Sequence, residues 1–117
     1  MPLVHVTTSA EIPAAEARDL LLKELSRILC QHFGKPEKWV MVALAPRAEM
    51  LFAGSAAPAC YLEVKNIGRL PDEGYRALSA SLCARIKQDL GVELDRIYIE
   101  FSDAARPLWG WNGSTLD

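Results

Sequence analysis

The chain has 117 residues, a formal net charge of -2, 50% hydrophobic residues and 24% charged residues. This length and balance predict one globular domain over residues 1–117 that is large enough to bury a core. Charges of both signs are interspersed, so neither nucleic acid nor an anionic membrane surface is an expected partner.

Targeting and metal-binding signals are weak. No apolar run reaches the length of a transmembrane helix, and the first residues lack the basic and apolar regions of a signal peptide. We therefore expect a cytoplasmic protein, with non-classical secretion left open.

Cys30, Cys60 and Cys83 form no Cys-x-x-Cys pattern, and His5 and His32 complete no metal-ligand spacing. Three reduced thiols and no metal are expected.

The first half of the chain has the pattern strand, helix, strand. The predicted elements are a strand over 3–8, a helix over 14–33 and a strand over 39–46. Gly34 follows the helix where a left-handed residue commonly ends one. The stretch "VMVALA" (40–45) is apolar at every position, so we expect water on neither face of this strand. An oligomer covering the second face is favoured over a free face lined by Ala43 and Ala45.

The second half repeats the first at an offset of 57 positions. The offset places Gly34 on Gly91 and Leu44 on Phe101. The predicted elements are a strand over 59–66, a helix over 72–90 and a strand over 95–102, joined to the first half by the turn-rich stretch 52–58. Helical crossovers of this length join parallel strands.

These elements predict an α+β fold of two layers. Two repeated βαβ units form a four-stranded mixed sheet with both helices on one face. The dipeptide "NG" at 112–113 predicts a short carboxy-terminal hairpin. Trp109 and Trp111 alternate across Gly110, and they either fold back on their own core or reach a neighbouring subunit.

Six short stretches, taken together, carry a resemblance to a known family. They are "MP" at the start, "GKP" at 34–36, "AGSAAPAC" at 53–60, "NIG" at 66–68, "DRIYI" at 95–99 and "GWNGST" at 110–115. The chain resembles the macrophage migration inhibitory factor and D-dopachrome tautomerase family of the tautomerase superfamily. The resemblance implies a homotrimer whose sheets surround a central axis, with an active site at each subunit interface.

The resemblance assigns Pro2 as the catalytic general base once Met1 is removed. Without it, Pro2 is a residue that starts a strand where no donor is needed. A terminal amine has a pKa near 8, and an apolar pocket beside a cation lowers it toward neutrality. Lys35 matches the family lysine that holds the carboxylate or enolate oxygen of the substrate. From spacing alone, Lys35 is a cation near a helix C-terminus.

The remaining site residues also follow from the resemblance. The backbone N–H of Ile67 matches a contact to the substrate carboxylate, Asn66 adds a polar contact, and Tyr98 comes from an adjacent subunit. Glu100 stands where the mammalian cytokine has asparagine. The aromatic rim consists of Trp39, Trp109 and Trp111.

The expected activity is keto–enol tautomerisation of a small aromatic α-keto acid such as phenylpyruvate, with dopachrome as another substrate of the family. No cofactor is required, because the amine and the lysine supply base and cation. A secreted cytokine-like ligand with a vestigial site is the main rival hypothesis, and the sequence identifies no receptor for it. Arg47 reverses the charge of a cytokine aspartate and argues against that hypothesis. A non-catalytic trimer and an enzyme for another substrate also stay open.

Overall fold

A computed structural model describes residues 1–12 and 14–117 of the chain. The elements in chain order are β1 (Leu3–Thr8), α1 (Ala15–Phe33), β2 (Met41–Ala45), β3 (Cys60–Asn66), α2 (Asp72–Leu90), β4 (Ile97–Asp103), β5 (Gly110–Trp111) and β6 (Ser114–Thr115). Short 3-10 turns at Glu37–Trp39, Leu94–Arg96 and Arg106–Leu108 precede β2, β4 and β5. No helix among the described residues is long and apolar enough to cross a membrane.

The sheet has the strand order β2-β1-β3-β4 and confirms the predicted fold class. β1 is parallel to β2, β3 is parallel to β4, and β1 and β3 are antiparallel. Each helix therefore crosses over between two parallel strands, as the repeat predicts. The small hairpin of β5 and β6 follows as a separate two-stranded sheet. The assignment of residues 1–117 to a single domain and the homotrimer stay predictions.

The helices begin and end at equivalent places in the two units. Ala15–Phe33 and Asp72–Leu90 differ by an offset of 57 at both ends. Gly34 and Gly91 follow them with left-handed φ values of 65° and 68°, a conformation that glycine adopts without strain. Both strands after the helices begin two residues later than predicted, because a 3-10 turn takes up the residues in front of each.

The core lies between the helices and one face of the sheet. Two stripes of helix residues are fully buried, namely Leu21, Leu25 and Leu29 on α1 and Leu78, Leu82 and Ile86 on α2. They pack against alternate residues of the central strands, including Val4, Val6, Leu62 and Val64. Replacing a leucine at such a position by alanine costs about 2–5 kcal/mol.

The opposite face of the sheet mixes apolar and charged side chains. His5 Nδ1 lies 3.4 Å from Glu63 Oε2, and Tyr61 Oη donates to Glu100 Oε2 at 3.4 Å. On β2, Met41 faces this side of the sheet and is 64% exposed. The next residue, Val42, pairs with buried Val4 and faces the helices. The expectation that another subunit covers this face stays a prediction.

Candidate active site

The amino terminus is held between two strands. Pro2 is buried, and its carbonyl accepts a hydrogen bond of 3.0 Å from the Met41 N–H. Pro2 lies one position beyond the Leu3–Lys65 pair, so it faces Asn66 across β1 and β3. A proline fits here because a strand's first residue needs no N–H donor.

A cavity of about 350 Å³ opens beside this terminus. Four of the predicted site residues line it, namely Lys35, Trp39, Ile67 and Trp111. The other lining residues are Met1, Pro36, Arg106 and Leu116. The described cavity wall thus combines aromatic rings with two cationic side chains, which suits a flat, anionic ligand of small size.

The amino group at this cavity is partly withdrawn from water. Burial, and secondly the charge of Lys35, lower the pKa of the amino-terminal ammonium below its ordinary value. The Met1 nitrogen also lies 3.5 Å from Asn66 Oδ1. Both effects on the pKa favour the uncharged amine, which is the form that can accept a proton.

Lys35 is positioned by the end of α1. It follows Gly34, whose N–H donates to the Cys30 carbonyl at 3.0 Å, and it precedes Pro36, which fixes the next φ angle. The Lys35 carbonyl accepts from Cys30 Sγ at 2.8 Å. The backbone that carries this lysine is therefore fixed from both sides.

The backbone around Ile67 forms a small, tightly bonded loop. Asn66 Nδ2 donates to the Gly68 carbonyl at 3.1 Å, and the Gly68 N–H donates to Asp103 Oδ1 at 2.9 Å. The Ala104 N–H donates to the Asn66 carbonyl at 2.9 Å, so the main chain of Asn66 faces β4. Ile67 follows the last residue of β3 and lines the cavity, so this bonded loop fixes the backbone beside the amino terminus. Asn66, 3% exposed, uses its amide within the protein.

The aromatic rim is formed by two tryptophans and the terminal hairpin. The rings of Trp39 and Trp111 meet edge to face, with centroids 4.9 Å apart and planes at 81°. Positive φ values at Asn112 (55°) and Gly113 (81°) make the turn between β5 and β6, as the "NG" dipeptide predicts. Trp109 lies at the hairpin base and is absent from the described residues that line the cavity.

Arg106 is a cavity residue that the sequence reasoning missed. Its Nη2 donates to the Leu116 carbonyl at 3.0 Å, and its Nε lies 3.5 Å from Asp117 Oδ1. Arg106 therefore ties the carboxy-terminal residues to the cavity wall and adds a cation there. A lone arginine in "ARPLW" carries no pattern that predicts either role.

Tyr98 and Glu100 lie away from this cavity within one chain. Tyr98 pairs with Tyr61, which pairs with Thr7, five residues along β1 from Pro2. At about 3.3 Å a residue, this is a separation of roughly 17 Å along the strands. Tyr98 is 65% exposed, and Glu100 contacts the Tyr61 hydroxyl. Beside the amino terminus the structure brings together Lys35, Trp39, Ile67 and Trp111, but not Tyr98, Glu100 or Trp109.

The described residues contain no group of three or more His, Cys, Asp or Glu side chains arranged to hold a metal ion. The ionisable groups of the residues that line the cavity are the Met1 amine and the Lys35 and Arg106 side chains. Such a set can remove a proton from carbon and stabilise the resulting negative charge.

Comparison with known proteins identifies relatives over the whole chain. A family model described as "Macrophage migration inhibitory factor (MIF)" matches residues 1–117. The chain is similar to macrophage migration inhibitory factor of Meriones unguiculatus, with 35% identity over 116 residues and 99% of each chain covered.

Solved structures show the same similarity. The macrophage migration inhibitory factor homologue from Prochlorococcus marinus superposes with a TM-score of 0.91 and 44% identity, covering 98% of this chain and 99% of that one. The macrophage migration inhibitory factor-like protein from Entamoeba histolytica superposes with a TM-score of 0.90 and 26% identity, covering 97% of each.

Proposed function

The chain belongs to the macrophage migration inhibitory factor family, and from this premise we propose that it is a keto–enol tautomerase of aryl pyruvates. One observation carries the proposal. The amino group of Met1, the residue directly before Pro2, has a pKa lowered by burial and by Lys35, and it lies at a cavity lined with aromatic rings. Phenylpyruvate matches these features: the carbon beside its keto group carries a proton for the amine, its carboxylate suits the Lys35 cation, and its phenyl ring suits the aromatic lining.

In the proposed reaction the base is the secondary amine of Pro2, freed by removal of Met1. The Pro2 nitrogen takes a proton from the carbon beside the keto group, and the electron pair moves into the enolate oxygen. The same proton then passes from the ammonium to that oxygen, which gives the enol, and the reverse sequence gives the ketone. The proline ring fixes the nitrogen, so less conformational freedom is lost than with a lysine base.

Lys35 and the Ile67 N–H hold the anionic end of the proposed substrate. A cation already fixed in a partly dry cavity stabilises the developing enolate without reorganising. The same cation lowers the pKa of the Met1 amine, and we expect it to act in the same way on the Pro2 amine once Met1 is removed, so Lys35 has two effects on the rate. Asn66, whose Oδ1 lies 3.5 Å from the Met1 nitrogen and whose Nδ2 donates to the Gly68 carbonyl, contributes on the amine side rather than by direct contact with the substrate.

The proposed aryl site is shared between subunits of a homotrimer. Trp39 and Trp111 supply one wall from the same chain. Tyr98 and Glu100 of a neighbouring chain supply the opposite wall, with Trp109 near the mouth. Support for assembly comes from large apolar side chains that one chain leaves in water, namely Leu51 (73% exposed), Tyr98 (65%), Met41 (64%) and Trp111 (52%).

The test is ketonisation of enol-phenylpyruvate by purified protein with Met1 removed. Pro2→Gly should lower kcat/KM by about 100-fold or more, the range in which positioned general bases contribute. Pro46→Gly, in an exposed loop after β2, is the matched proline control and should retain full activity. Undiminished activity in Pro2→Gly would remove the proline from the mechanism.

A further inference from the structure

Arg96 lies at the end of the 3-10 turn before β4, and its guanidinium binds main-chain carbonyls. Its Nε donates to the Pro58 carbonyl at 2.9 Å, and its Nη1 donates to the Phe52 carbonyl at 3.1 Å. Its Nη2 donates to the carbonyls of Ser55 and Ala57 at 3.1 and 3.0 Å. One planar side chain therefore holds four positions of the loop 52–58.

The loop that Arg96 holds has a defined turn of its own. The Phe52 N–H donates to the Ser55 carbonyl at 3.1 Å, and the Ser55 N–H returns a bond of 3.0 Å to the Phe52 carbonyl. Ala53 and Gly54 between them have φ values of 53° and 71°. A non-glycine residue with positive φ is uncommon, so the loop needs contacts from outside to stay in this shape.

The Phe52 ring connects this loop to Tyr98. Arg96 Cζ lies 5.2 Å from the centroid of the Phe52 ring, within range of a cation–π contact. The Tyr98 ring contacts Phe52, with centroids 4.7 Å apart and planes at 52°. The Phe52 ring therefore contacts both the Arg96 guanidinium and the Tyr98 ring. A cavity of about 420 Å³ bordered by Phe52, Cys60 and Tyr98 opens on the same side.

We propose that Arg96 is a positioning residue that fixes the loop 52–58 so that Phe52 holds the Tyr98 ring in one orientation. The inference rests on the proposed function, in which Tyr98 forms the aryl wall of a neighbouring subunit's site. Arg96 itself does not touch substrate. It acts at a distance, by keeping an exposed aromatic side chain from occupying several rotamers.

The planar fork of arginine is essential to this role. Four carbonyls lie in directions that one guanidinium satisfies with bonds of 2.9–3.1 Å. A lysine ammonium keeps the charge but has three donors on a flexible stem, so it cannot reproduce the fork. Arg96→Lys thus removes the geometry and leaves the charge.

The test compares Arg96→Lys with Arg27→Lys in the full chain with Met1 removed. Arg27 is a matched control, because it also forks, onto Glu24 and Gln31, but on the exposed surface of α1. Arg96→Lys should raise KM for phenylpyruvate about fivefold with kcat within about twofold, the signature of lost uniform binding. The control should change neither. Unchanged KM in Arg96→Lys, or a fall in kcat alone, overturns the proposal.

Phe52→Leu tests the route through the ring and keeps the inference testable if Arg96→Lys folds poorly. It removes the aromatic contact but leaves the four hydrogen bonds of Arg96 intact, and it should raise KM to a similar extent. The double variant should show no further rise, because both changes break the same chain of contacts. Multiplying effects in the double variant contradict a route through Phe52.

One readout does not depend on activity. In Arg96→Lys, amide hydrogen exchange at Phe52 and Ser55 should speed up, and the NMR signals of the Tyr98 ring should shift, while Arg27→Lys changes neither. If the wild-type protein failed to turn over phenylpyruvate, the proposed function would fail. The exchange rates and the Tyr98 signals would still show whether Arg96 fixes the loop and the Tyr98 ring. If they were unchanged in Arg96→Lys, the proposed role of Arg96 would be wrong.

Discussion

The two βαβ units share one frame but place different chemistry on it. At an offset of 57, Pro2 and Lys35 of the first unit correspond to Ala59 and Val92 of the second, and both of these are fully buried in the core. The residue that ends each 3-10 turn differs as well, since Trp39 lines a cavity while Arg96 holds a loop. Repetition of the backbone therefore does not repeat the site, and the site depends on a few residues at strand and helix ends.

Burial also has opposite consequences in the two units. It lowers the pKa of the amino terminus beside β1, which favours the neutral amine, the form able to accept a proton. On β3 it raises the pKa of the Cys60 thiol to about 12, which keeps the thiol neutral and unreactive. Desolvation favours the uncharged form in both places, but only for the amine is the uncharged form the reactive one.

The largest effect, on stability, is expected when a lysine is introduced at the position of the second unit that corresponds to Lys35. Val92→Lys would bury an ammonium at a position that is 0% exposed. We expect a loss of about 4 kcal/mol in the free energy of unfolding, because a buried lysine loses several pKa units. Denaturant unfolding measures it, with Leu94→Lys, at a half-exposed position, as the control. A wild-type midpoint in Val92→Lys would mean that the second unit can hold a charge there.

The reciprocal change gives the first unit the residue of the second. Lys35→Val should lower kcat/KM for phenylpyruvate by about 100-fold, the loss typical of one electrostatic contact to a developing oxyanion. Lys35 lowers the pKa of the Met1 amine, and we expect the same effect on the Pro2 amine after Met1 is removed. Lys35→Val should therefore also move the acid limb of the pH profile to higher pH. Lys23→Val on the exposed side of α1 is the control. An unmoved pH profile would exclude electrostatic coupling between Lys35 and the base.

Much of this frame could be predicted from sequence. The apolar stripes containing Leu25 and Leu82, and the glycines after them, predict helix ends to within a residue. The pattern predicts the starts of β2 and β4 two residues early, because a short apolar pattern does not separate a 3-10 turn from the first residues of a strand. Element type therefore follows from periodicity, but the exact start of a short strand does not.

The site was less predictable than the fold. Pro2, Lys35 and Ile67 became candidates through family resemblance, and the role proposed for Ile67 uses its backbone N–H, which no side-chain pattern can indicate. Arg106 and Arg96 were missed because their partners are main-chain carbonyls, whose positions depend on the folded loop. A sequence shows that an arginine is present but not which carbonyls surround it.

A mixing experiment tests whether Lys35 of one subunit and Tyr98 of another form one site. The effect expected from the Tyr98 substitution is smaller than that from Lys35→Val. Tyr98→Met gives the second unit the residue found at the equivalent place of the first, Met41, and should raise KM about tenfold. In an equal mixture with Lys35→Val, about a quarter of the sites in a randomly assembled trimer would carry both intact residues. Refolding the mixture together should recover activity beyond the sum of the separate variants. No recovery would place Tyr98 outside a shared site.

The smallest effect concerns Cys60. Its pKa is raised in the folded state by burial, so its contribution to stability is complete below the ordinary thiol pKa of 9.0 and is lost as the pH rises toward 12. Wild-type protein should lose roughly 1 kcal/mol more unfolding free energy than Cys60→Val between pH 8 and pH 10. Parallel pH profiles for the two proteins would show that the thiol ionises without opposing the fold.

The most direct measurement is a pH titration of the Pro2 nitrogen by NMR in mature protein labelled with ¹⁵N-proline, with intact mass recorded on the same sample. We predict a mass lacking Met1, a Pro2 amine whose pKa, like that of the Met1 amine, lies below the ordinary value of 8.0, and an upward shift of that pKa in Lys35→Val. A nitrogen that does not titrate because Met1 remains attached, or one that titrates at or above 8.0 in the wild type, would contradict this prediction.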